Sequence, residues 1–257
     1  MIKEAERQKD STVFEGMTSV NAILRSIDEG SPRRIITLWF DKNKKSSKRR
    51  EYSFLKSASV KYGFELLDAD SDFIGNMAVG NSHGGIIALC TQRELPRLTD
   101  DTPLKEKGFY VMIEGIEDPY NFGYALRTLY AAGVDGVILP ERNWMSAAGV
   151  VCRASAGASE LMSTYVSDPV SACDSFKKRG YKVVCAGIRD SVSVFDADLG
   201  YPVFLIVGGE KRGISSAVLS KADCVVRVDY GREFKGSLSA ASAASVLAYE
   251  VFRQNRK

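Results

Sequence analysis

The sequence is poor in the side chains that most often hold metal ions. It contains one histidine, His83, and its five cysteines are scattered without a Cys-x-x-Cys pair. Structural zinc and iron–sulfur sites are built from closely spaced cysteine and histidine ligands. We therefore expect no metal site, and we expect the cysteines, most of which lie in apolar stretches, to be reduced and buried. They are Cys90, Cys152, Cys173, Cys185 and Cys224.

Excess charge and long apolar runs are also missing. The formal net charge is only +3, so contact with nucleic acid would need a local basic patch. No run of about 18 apolar residues is present, which argues against a membrane span. Residues 1–10 are polar and charged, which argues against a secretory leader. We expect a soluble, cytoplasmic protein with no membrane partner.

Two regions with alternating helix and strand patterns flank a polar segment. The first region predicts a small α/β unit, with helices at 19–27 and 53–62 and strands at 34–39, 64–67 and 85–89. Residues 91–107 show no sustained period and contain two prolines, which is typical of a linker. We expect an N-terminal domain at 1–92, a linker at 93–107 and a second domain at 108–257.

The second region predicts a mainly parallel sheet with helices on both faces. Its strand candidates are nearly continuous apolar runs, as strands buried on both faces require. They lie at 109–113, 136–139, 181–186, 203–207 and 224–228. Helices are predicted at 122–132 and 169–178, each closed by a glycine, and at 238–253, where Ser237 can cap the first turn.

Three segments of this region place glycine and polar residues where a strand ends and a helix begins. Open α/β sheets bind ligands in that crevice. The segments are 114–128, 206–215 and 236–244. Taken singly, each has a structural explanation: Asn121 and Ser237 could be helix caps, Arg127 a solvated side chain, and Gly208-Gly209 a turn.

Taken together, the three segments resemble three motifs of the SpoU family of RNA ribose 2′-O-methyltransferases. The motifs occur in the same order, and the resemblance spans 108–257. The first motif is matched by Asp118, Pro119, Asn121, Gly123, Arg127 and Thr128. The second is matched by Gly208, Glu210 and Gly213. The third is matched by Ser237 and Leu238, but Ser239 stands where the family has asparagine.

The resemblance implies a SPOUT fold, an α/β knot in which the C-terminal segment threads a loop, and a homodimer. It also implies S-adenosylmethionine as cofactor, held by backbone groups of the loops. The cofactor-binding residues implied are Gly208, Gly209, Glu210, Gly213, Val228, Ser237 and Leu238. The catalytic residues implied are Asn121, Arg127, Glu210, Ser237 and Ser239.

The N-terminal region resembles the L30e-like substrate-binding domain that precedes some family members, through 16–20 and 82–88. This resemblance and a nearby basic run predict RNA contacts, although a charge run can equally be a solvated face and His83 a turn residue. The RNA-binding candidates are Arg33, Lys44, Lys45, Lys48, Arg49, His83 and Arg127.

The expected reaction is 2′-O-methylation of a ribose in RNA. Ribosomal RNA is the first candidate substrate and transfer RNA the second. Because His83 lies outside the catalytic domain, the motifs leave Glu210 and Arg127 as candidate proton acceptors. A neutral arginine at pH 7 costs about 8 kcal/mol. We therefore expect Arg127 to hold a phosphate and stabilise the developing alkoxide, with Asn121 orienting Arg127 or the ribose.

Two other functions remain open. Ser239 motivates a non-catalytic RNA-binding or ribosome-assembly factor that keeps the knotted fold, because serine lacks the amide of the family residue. A nucleotide-binding enzyme of Rossmann type is the weaker alternative. No Gly-x-Gly-x-x-Gly follows the strand at 109–113, and the 208–214 loop lacks the ending of a P-loop.

Overall fold

The computed structural model describes residues 12–80, 82–141, 147–209 and 212–256. Their contacts divide the chain into two units, each discontinuous in sequence. The first lies within Met1–Glu94 and Asn143–Leu161, and the second within Leu95–Arg142 and Met162–Lys257. No helix in the described part of the chain is long and apolar enough to cross a membrane.

The helices and strands of both units are numbered in chain order. Those up to residue 94 are β1 (Val13–Glu15), α1 (Gly16–Asp28), β2 (Ile35–Asp41), α2 (Arg49–Tyr62), β3 (Glu65–Ala69), α3 (Ser71–Met77) and β4 (Ile86–Cys90). Those that follow are β5 (Phe109–Ile113), α4 (Pro119–Ala131), β6 (Gly136–Leu139), α5 (Ala148–Ala154), α6 (Ala158–Leu161), β7 (Thr164–Val166), α7 (Pro169–Lys178), β8 (Lys182–Ala186), β9 (Val192–Ser193), β10 (Val203–Val207), α8 (Ser216–Leu219), β11 (Cys224–Arg227) and α9 (Ala240–Asn255).

The first unit is built on a four-stranded sheet in the order β1-β4-β2-β3. β4 runs antiparallel to β1 and β2, and β2 runs parallel to β3. The core contains Phe14, Ile23, Phe40 and Leu55, which come from one helix or strand each and are fully buried. The small α/β unit predicted from the sequence is therefore present.

The segment 147–161 packs in the first unit, although it follows β6 of the second unit in sequence. Ala148 and Cys152 of α5 belong to the core of the first unit. Arg153 at the end of α5 forms an ion pair with Glu15 (2.5 Å), and Glu160 of α6 forms one with Arg33 (2.6 Å). The predicted boundaries of the second domain, 108–257, missed this grouping, because the two ion pairs join residues that are far apart in sequence.

The second unit contains a seven-stranded sheet in the order β7-β6-β5-β10-β8-β11-β9, and every pairing in it is parallel. This confirms the expected α/β fold with a mainly parallel sheet. All five residues of β5 and all five of β10 are buried, as central strands covered on both faces must be. On one face Phe176 of α7 stacks on Phe204, with ring centroids 4.0 Å apart.

The register of the central strands brings several strand ends to one edge of the sheet. Val207 pairs with Ile113, Ile206 with Cys185, and Val226 with Ala186. The loops that leave β5, β8, β10 and β11 at their carboxyl ends therefore start side by side. A crevice at this edge is where an open parallel sheet binds its ligands.

Candidate functional site

Two glycine loops pack closely at the carboxyl edge of the sheet. Gly115 follows β5 with φ at +90°, and Gly208-Gly209 follow β10. A Cβ on Gly209 would lie 2.5 Å from the Gly115 carbonyl oxygen, and one on Gly208 would lie 2.5 Å from the carbonyl carbon of Gly213. Glycine is required at these positions because neighbouring backbone occupies the space that a side chain would need.

A cavity of about 600 Å³ opens beside these loops. Its lining includes six of the seven residues expected to bind the cofactor, and the seventh, Glu210, lies outside the described residues. The six are Gly208, Gly209, Gly213, Val228, Ser237 and Leu238. Residues that follow β8, β10 and β11 thus meet residues at the start of α9 at one cavity.

The cavity fits a nucleoside-sized cofactor. Ligand pockets of this size class combine apolar walls with a few polar groups. The walls here come from strand ends and from α9, and include Ala186, Val207, Val226 and Leu247. Polar groups come from the backbone of the glycine loop and from the segment around Ser237, so the donor set suits an apolar ring with hydrogen-bonding edges.

The first motif builds the start of α4. The Asp118 side chain accepts a hydrogen bond from the Asn121 backbone N–H (2.8 Å), and Pro119 occupies the first turn, where its missing N–H costs nothing. This cap starts the helix three residues before the predicted start at Phe122. Asn121 is half-buried, whereas Arg127 is exposed.

The structure does not bring Asn121 and Arg127 to the cavity, since neither belongs to its lining among the described residues. Six residues along a helix separate two side chains by about 9 Å along the axis and about 120° around it. This separation favours the ribose over Arg127 of the same chain as the group that Asn121 orients, and both roles stay predictions. Arg127 shares the exposed face of α4 with Tyr124.

The third motif enters α9 differently from the prediction. The helix begins at Ala240, and its cap is Ser239, whose Oγ accepts a hydrogen bond from the Ser242 backbone N–H (3.1 Å). The expectation that Ser237 caps this helix is therefore wrong. Ser237 is exposed and lies at the cavity instead. Serine and asparagine are both strong helix caps, so Ser239 can serve the start of the helix in place of the family residue.

Sequence reasoning missed two aromatic residues of the cavity, Tyr230 and Phe234. They lie in the loop between β11 and α9, outside the three motif segments named from the sequence. Nothing in the periodicity of an irregular loop could show which of its side chains face a cavity.

The five cysteines are free thiols, and burial makes four of them, Cys90, Cys152, Cys173 and Cys185, poor nucleophiles. Burial raises the pKa of Cys152 and of Cys185 to about 12, and that of Cys173 to about 11. The pKa of Cys90 is raised further by the same cause. None of these four thiols is therefore suited to covalent catalysis near neutral pH.

In the first unit, most of the RNA-binding candidates lie together. An added Cβ would lie 3.0 Å from the Lys48 Nζ at Gly84 and 2.8 Å from the Lys44 side chain at Gly85. Both lysines therefore lie over the turn that follows His83. The imidazole Nδ1 of His83 accepts a hydrogen bond from the Gly85 N–H (3.1 Å), so this histidine shapes the turn.

The remaining lysine and arginine candidates lie beside the same turn or at the start of α2. Lys45 forms an ion pair with Asp68 (2.5 Å) and lies over the Tyr52 ring; the hydrogen bond to Asp68 raises its pKa. Lys48 pairs with Glu51 at 3.2 Å. Arg49 is exposed and lines a separate cavity of about 740 Å³ with Lys48 and Arg50.

Arg33 is not an RNA-binding residue. Its side chain is fully buried, with 0% exposed, and its guanidinium bonds Glu160 (2.6 Å) and the Thr91 carbonyl oxygen (2.7 Å) while lying 4.6 Å from the centre of the Phe14 ring. A charge this deeply buried needs partners of this kind. The expectation of a phosphate contact at Arg33 is therefore wrong.

Comparison with known proteins adds family evidence. A model of the SpoU rRNA Methylase family matches residues 108–249, more than half of the chain. A TrmH family tRNA/rRNA methyltransferase from Staphylococcus saprophyticus is 34% identical over 145 residues, which cover 56% of this chain and 58% of the relative. The alignment thus spans less than two thirds of that relative. The 23S rRNA (guanosine-2′-O-)-methyltransferase RlmB of Shewanella oneidensis is 25% identical over 255 residues, covering 96% and 99% of the two chains.

A solved structure with a similar fold is the AdoMet-bound rRNA methyltransferase from Sinorhizobium meliloti. The TM-score is 0.80, and the superposition covers 97% of this chain and 93% of the other. At 20% sequence identity this likeness concerns the fold alone. It extends over both units of the chain.

Proposed function

The chain belongs to the SpoU rRNA methylase family, and on that premise we propose that it transfers a methyl group from S-adenosylmethionine to a ribose 2′-hydroxyl of RNA. Ribosomal RNA is the first candidate substrate and transfer RNA the second, as in the names of its relatives. The observation that carries the proposal is the cavity at the carboxyl edge of the parallel sheet, where six expected cofactor residues meet.

The cavity residues would hold the cofactor by burial and by backbone hydrogen bonds. When bound, S-adenosylmethionine supplies an electrophilic methyl group on a sulfonium centre. The apolar side chains of Val207, Val226 and Leu247 would cover its apolar parts, and the backbone at Gly208-Gly209 and Ser237-Leu238 would bind its polar edges. Excluding water from this cavity strengthens each such hydrogen bond.

The protein's own groups have to align the hydroxyl and handle its proton. Arg127, exposed on α4, would bind an RNA phosphate through its planar fork and stabilise the alkoxide while the hydroxyl proton passes to Glu210, the candidate acceptor that the cost of a neutral arginine leaves. Asn121 is proposed to orient the ribose, and Glu210 is also proposed to hold the end of the cofactor in place. Ser237, at the cavity, would hydrogen-bond in the same network.

The first unit is proposed to bind RNA through Lys44, Lys45, Lys48, Arg49 and His83. Ion pairs near the surface, such as the half-buried pair of Lys48 with Glu51, contribute about 1 kcal/mol. Exchanging such a partner for a phosphate therefore costs little, while each phosphate contact adds affinity by releasing counterions.

A homodimer in the cytoplasm belongs to the same proposal. α4 and α9 pack on each other, and their outer faces carry exposed aromatic residues, with Tyr124 on α4 and Tyr249 and Phe252 on α9. Apolar surface of this kind favours association with a second copy.

The test is methyl transfer by the purified full chain. With tritium in the methyl group of the cofactor, we expect label in ribosomal RNA, at a dinucleotide that resists alkaline cleavage because its 2′-oxygen is methylated. Parallel reactions with transfer RNA decide between the two substrates. Binding of RNA without cofactor binding or label would instead support the non-catalytic factor. The structure gives that alternative no added weight, because Ser239 has a role as a helix cap.

A further inference from the structure

Two aromatic side chains stand at the mouth of the cavity. Tyr230 and Phe234 both line it, their ring centroids are 5.6 Å apart, and their planes meet at 66°. They are 40% and 57% exposed. Apolar rings left in solvent give up the free energy of burial, and such a pair beside a cavity indicates a binding surface.

The loop holds both rings in position. The Leu238 backbone N–H donates a hydrogen bond to the Tyr230 hydroxyl (3.2 Å). The far edge of the Phe234 ring lies against Gly236, where an added Cβ would come within 2.6 Å of the Phe234 Cζ. The loop thus presents a preformed aromatic surface, which reduces the entropy lost on binding.

The charges of the loop favour an anionic ligand. Asp229 is paired with Arg227 (2.8 Å). Arg232, Glu233 and Lys235 are exposed and form no ion pair with another residue that the structure describes, which leaves an excess of one positive charge. This excess attracts a phosphate and repels a sulfonium cation. The aromatic pair therefore suits a nucleotide of RNA better than the cofactor.

We propose that Tyr230 and Phe234 form a stacking surface for the base of the nucleotide whose ribose is methylated, with Arg232 and Lys235 beside its phosphates. The inference rests on the proposed function and adds the residues that position the acceptor base. Stacking on an aromatic ring accepts any base. The pair would accordingly hold the nucleotide in place rather than select it.

The experiment uses the full chain with Phe234→Ala, and measures two affinities without turnover. Binding of a labelled short single-stranded RNA is followed by fluorescence anisotropy, and binding of S-adenosylmethionine by calorimetry. We expect the Kd for RNA to rise about 10-fold, which corresponds to about 1.4 kcal/mol. The Kd for the cofactor should rise much less than the Kd for RNA, because the rings stand at the edge of the cavity, and Phe234→Trp should restore RNA binding.

Two controls isolate stacking. Phe195→Ala removes a ring of matching exposure, 54%, that is not part of the cavity lining, and should leave both affinities unchanged. The same RNA made with abasic riboses should bind wild type and Phe234→Ala equally, because it has no base to stack.

Three results would overturn the inference. The first is weaker binding of the cofactor to Phe234→Ala with unchanged binding of RNA, which would place the adenine of the cofactor on the rings. The second is no change in either affinity. The third is an equal loss with abasic RNA. Methyl transfer by wild type is measured in parallel. If wild type transfers the methyl group and Phe234→Ala binds RNA as tightly as wild type does, stacking is refuted and the proposed function stands. If wild type transfers no methyl group, the proposed function is refuted.

Discussion

Arg33 shows how one residue can be misread from sequence. Next to Arg34 and near the basic run it has the pattern of a phosphate contact, yet it is fully buried against Glu160. The two residues are 127 positions apart, so no local pattern could pair them. The same pair attaches α6 to the first unit, and its absence from the sequence pattern explains why the boundary prediction missed the segment 147–161.

Substituting Arg33 by methionine should destabilise the first unit by about 3–5 kcal/mol, because the buried Glu160 carboxylate loses its close ion pair and keeps only the longer contact with Arg93 (3.8 Å). Urea unfolding of the full chain measures this. Arg34→Met is the matched control, since Arg34 is exposed and its loss should change stability by less than about 0.5 kcal/mol. Equal effects of the two substitutions would contradict the buried pair.

At the scale of helices and strands, the elements that have a clear local pattern in the sequence were predictable. The apolar runs at 109–113 and 203–207 form strands with those bounds, and α7 ends at Lys178 as its glycine signal indicated. Helix starts were less predictable. A cap requires a particular backbone conformation, and both Ser237 and Ser239 have suitable side chains, so only the structure distinguishes them.

The cap of α9 can be tested by substitution. Ser239→Ala should cost about 1 kcal/mol of the free energy of unfolding, because the Ser242 N–H loses its acceptor, whereas Ser239→Asn should preserve stability within a few tenths. Ser237→Ala is the control and should leave urea unfolding unchanged. A larger loss of stability for Ser237→Ala than for Ser239→Ala would show that Ser237 is the cap.

The last turns of α9 predict a pH dependence. Glu250 is buried, and its hydrogen bonds to the Arg253 guanidinium (2.8 and 2.7 Å) lower its pKa below the ordinary 4.5. A lowered carboxyl pKa stabilises the fold above the unfolded value and loses that effect as the pH falls through the folded value.

Glu250→Gln should therefore be less stable than wild type by about 1 kcal/mol at neutral pH. The difference should shrink below pH 4.5. Thermal unfolding at a series of pH values measures it. Glu29→Gln, in the exposed pair with Arg25, is the control and should show little difference at any pH. A stability difference between Glu250→Gln and wild type that does not depend on pH would show that the charge of Glu250 does not stabilise the fold.

At the scale of the whole molecule, the family and its mainly parallel fold followed from three motifs and apolar periodicity. The sequence could also indicate which loops meet, because parallel strands end at one edge. It could not show that Asn121 and Arg127 are absent from the cavity lining, since that depends on the orientation of α4. The knot stays a prediction.

The homodimer proposal makes a prediction at this scale. Sedimentation equilibrium of wild type should give twice the chain mass, and Tyr124→Glu should give the monomer, because a charge would be buried at the contact. Tyr124 is 52% exposed, so the substitution should leave the fold intact. Phe54→Glu, which changes an exposed ring (47%) on α2 rather than on α4 or α9, should remain a dimer. A monomeric wild type would contradict the proposal.

The proposed function depends most on the identity of the cavity. Measuring cofactor binding after a large side chain has been introduced into the cavity tests that identity directly. Ala243 lies on α9 in the cavity lining, whereas Ala217 on α8 is exposed and outside it. By calorimetry, Ala243→Phe should weaken S-adenosylmethionine binding at least about 10-fold, because the ring occupies the space of the ligand. Ala217→Phe should bind the cofactor like wild type. Unchanged cofactor affinity in a folded Ala243→Phe protein would contradict the account.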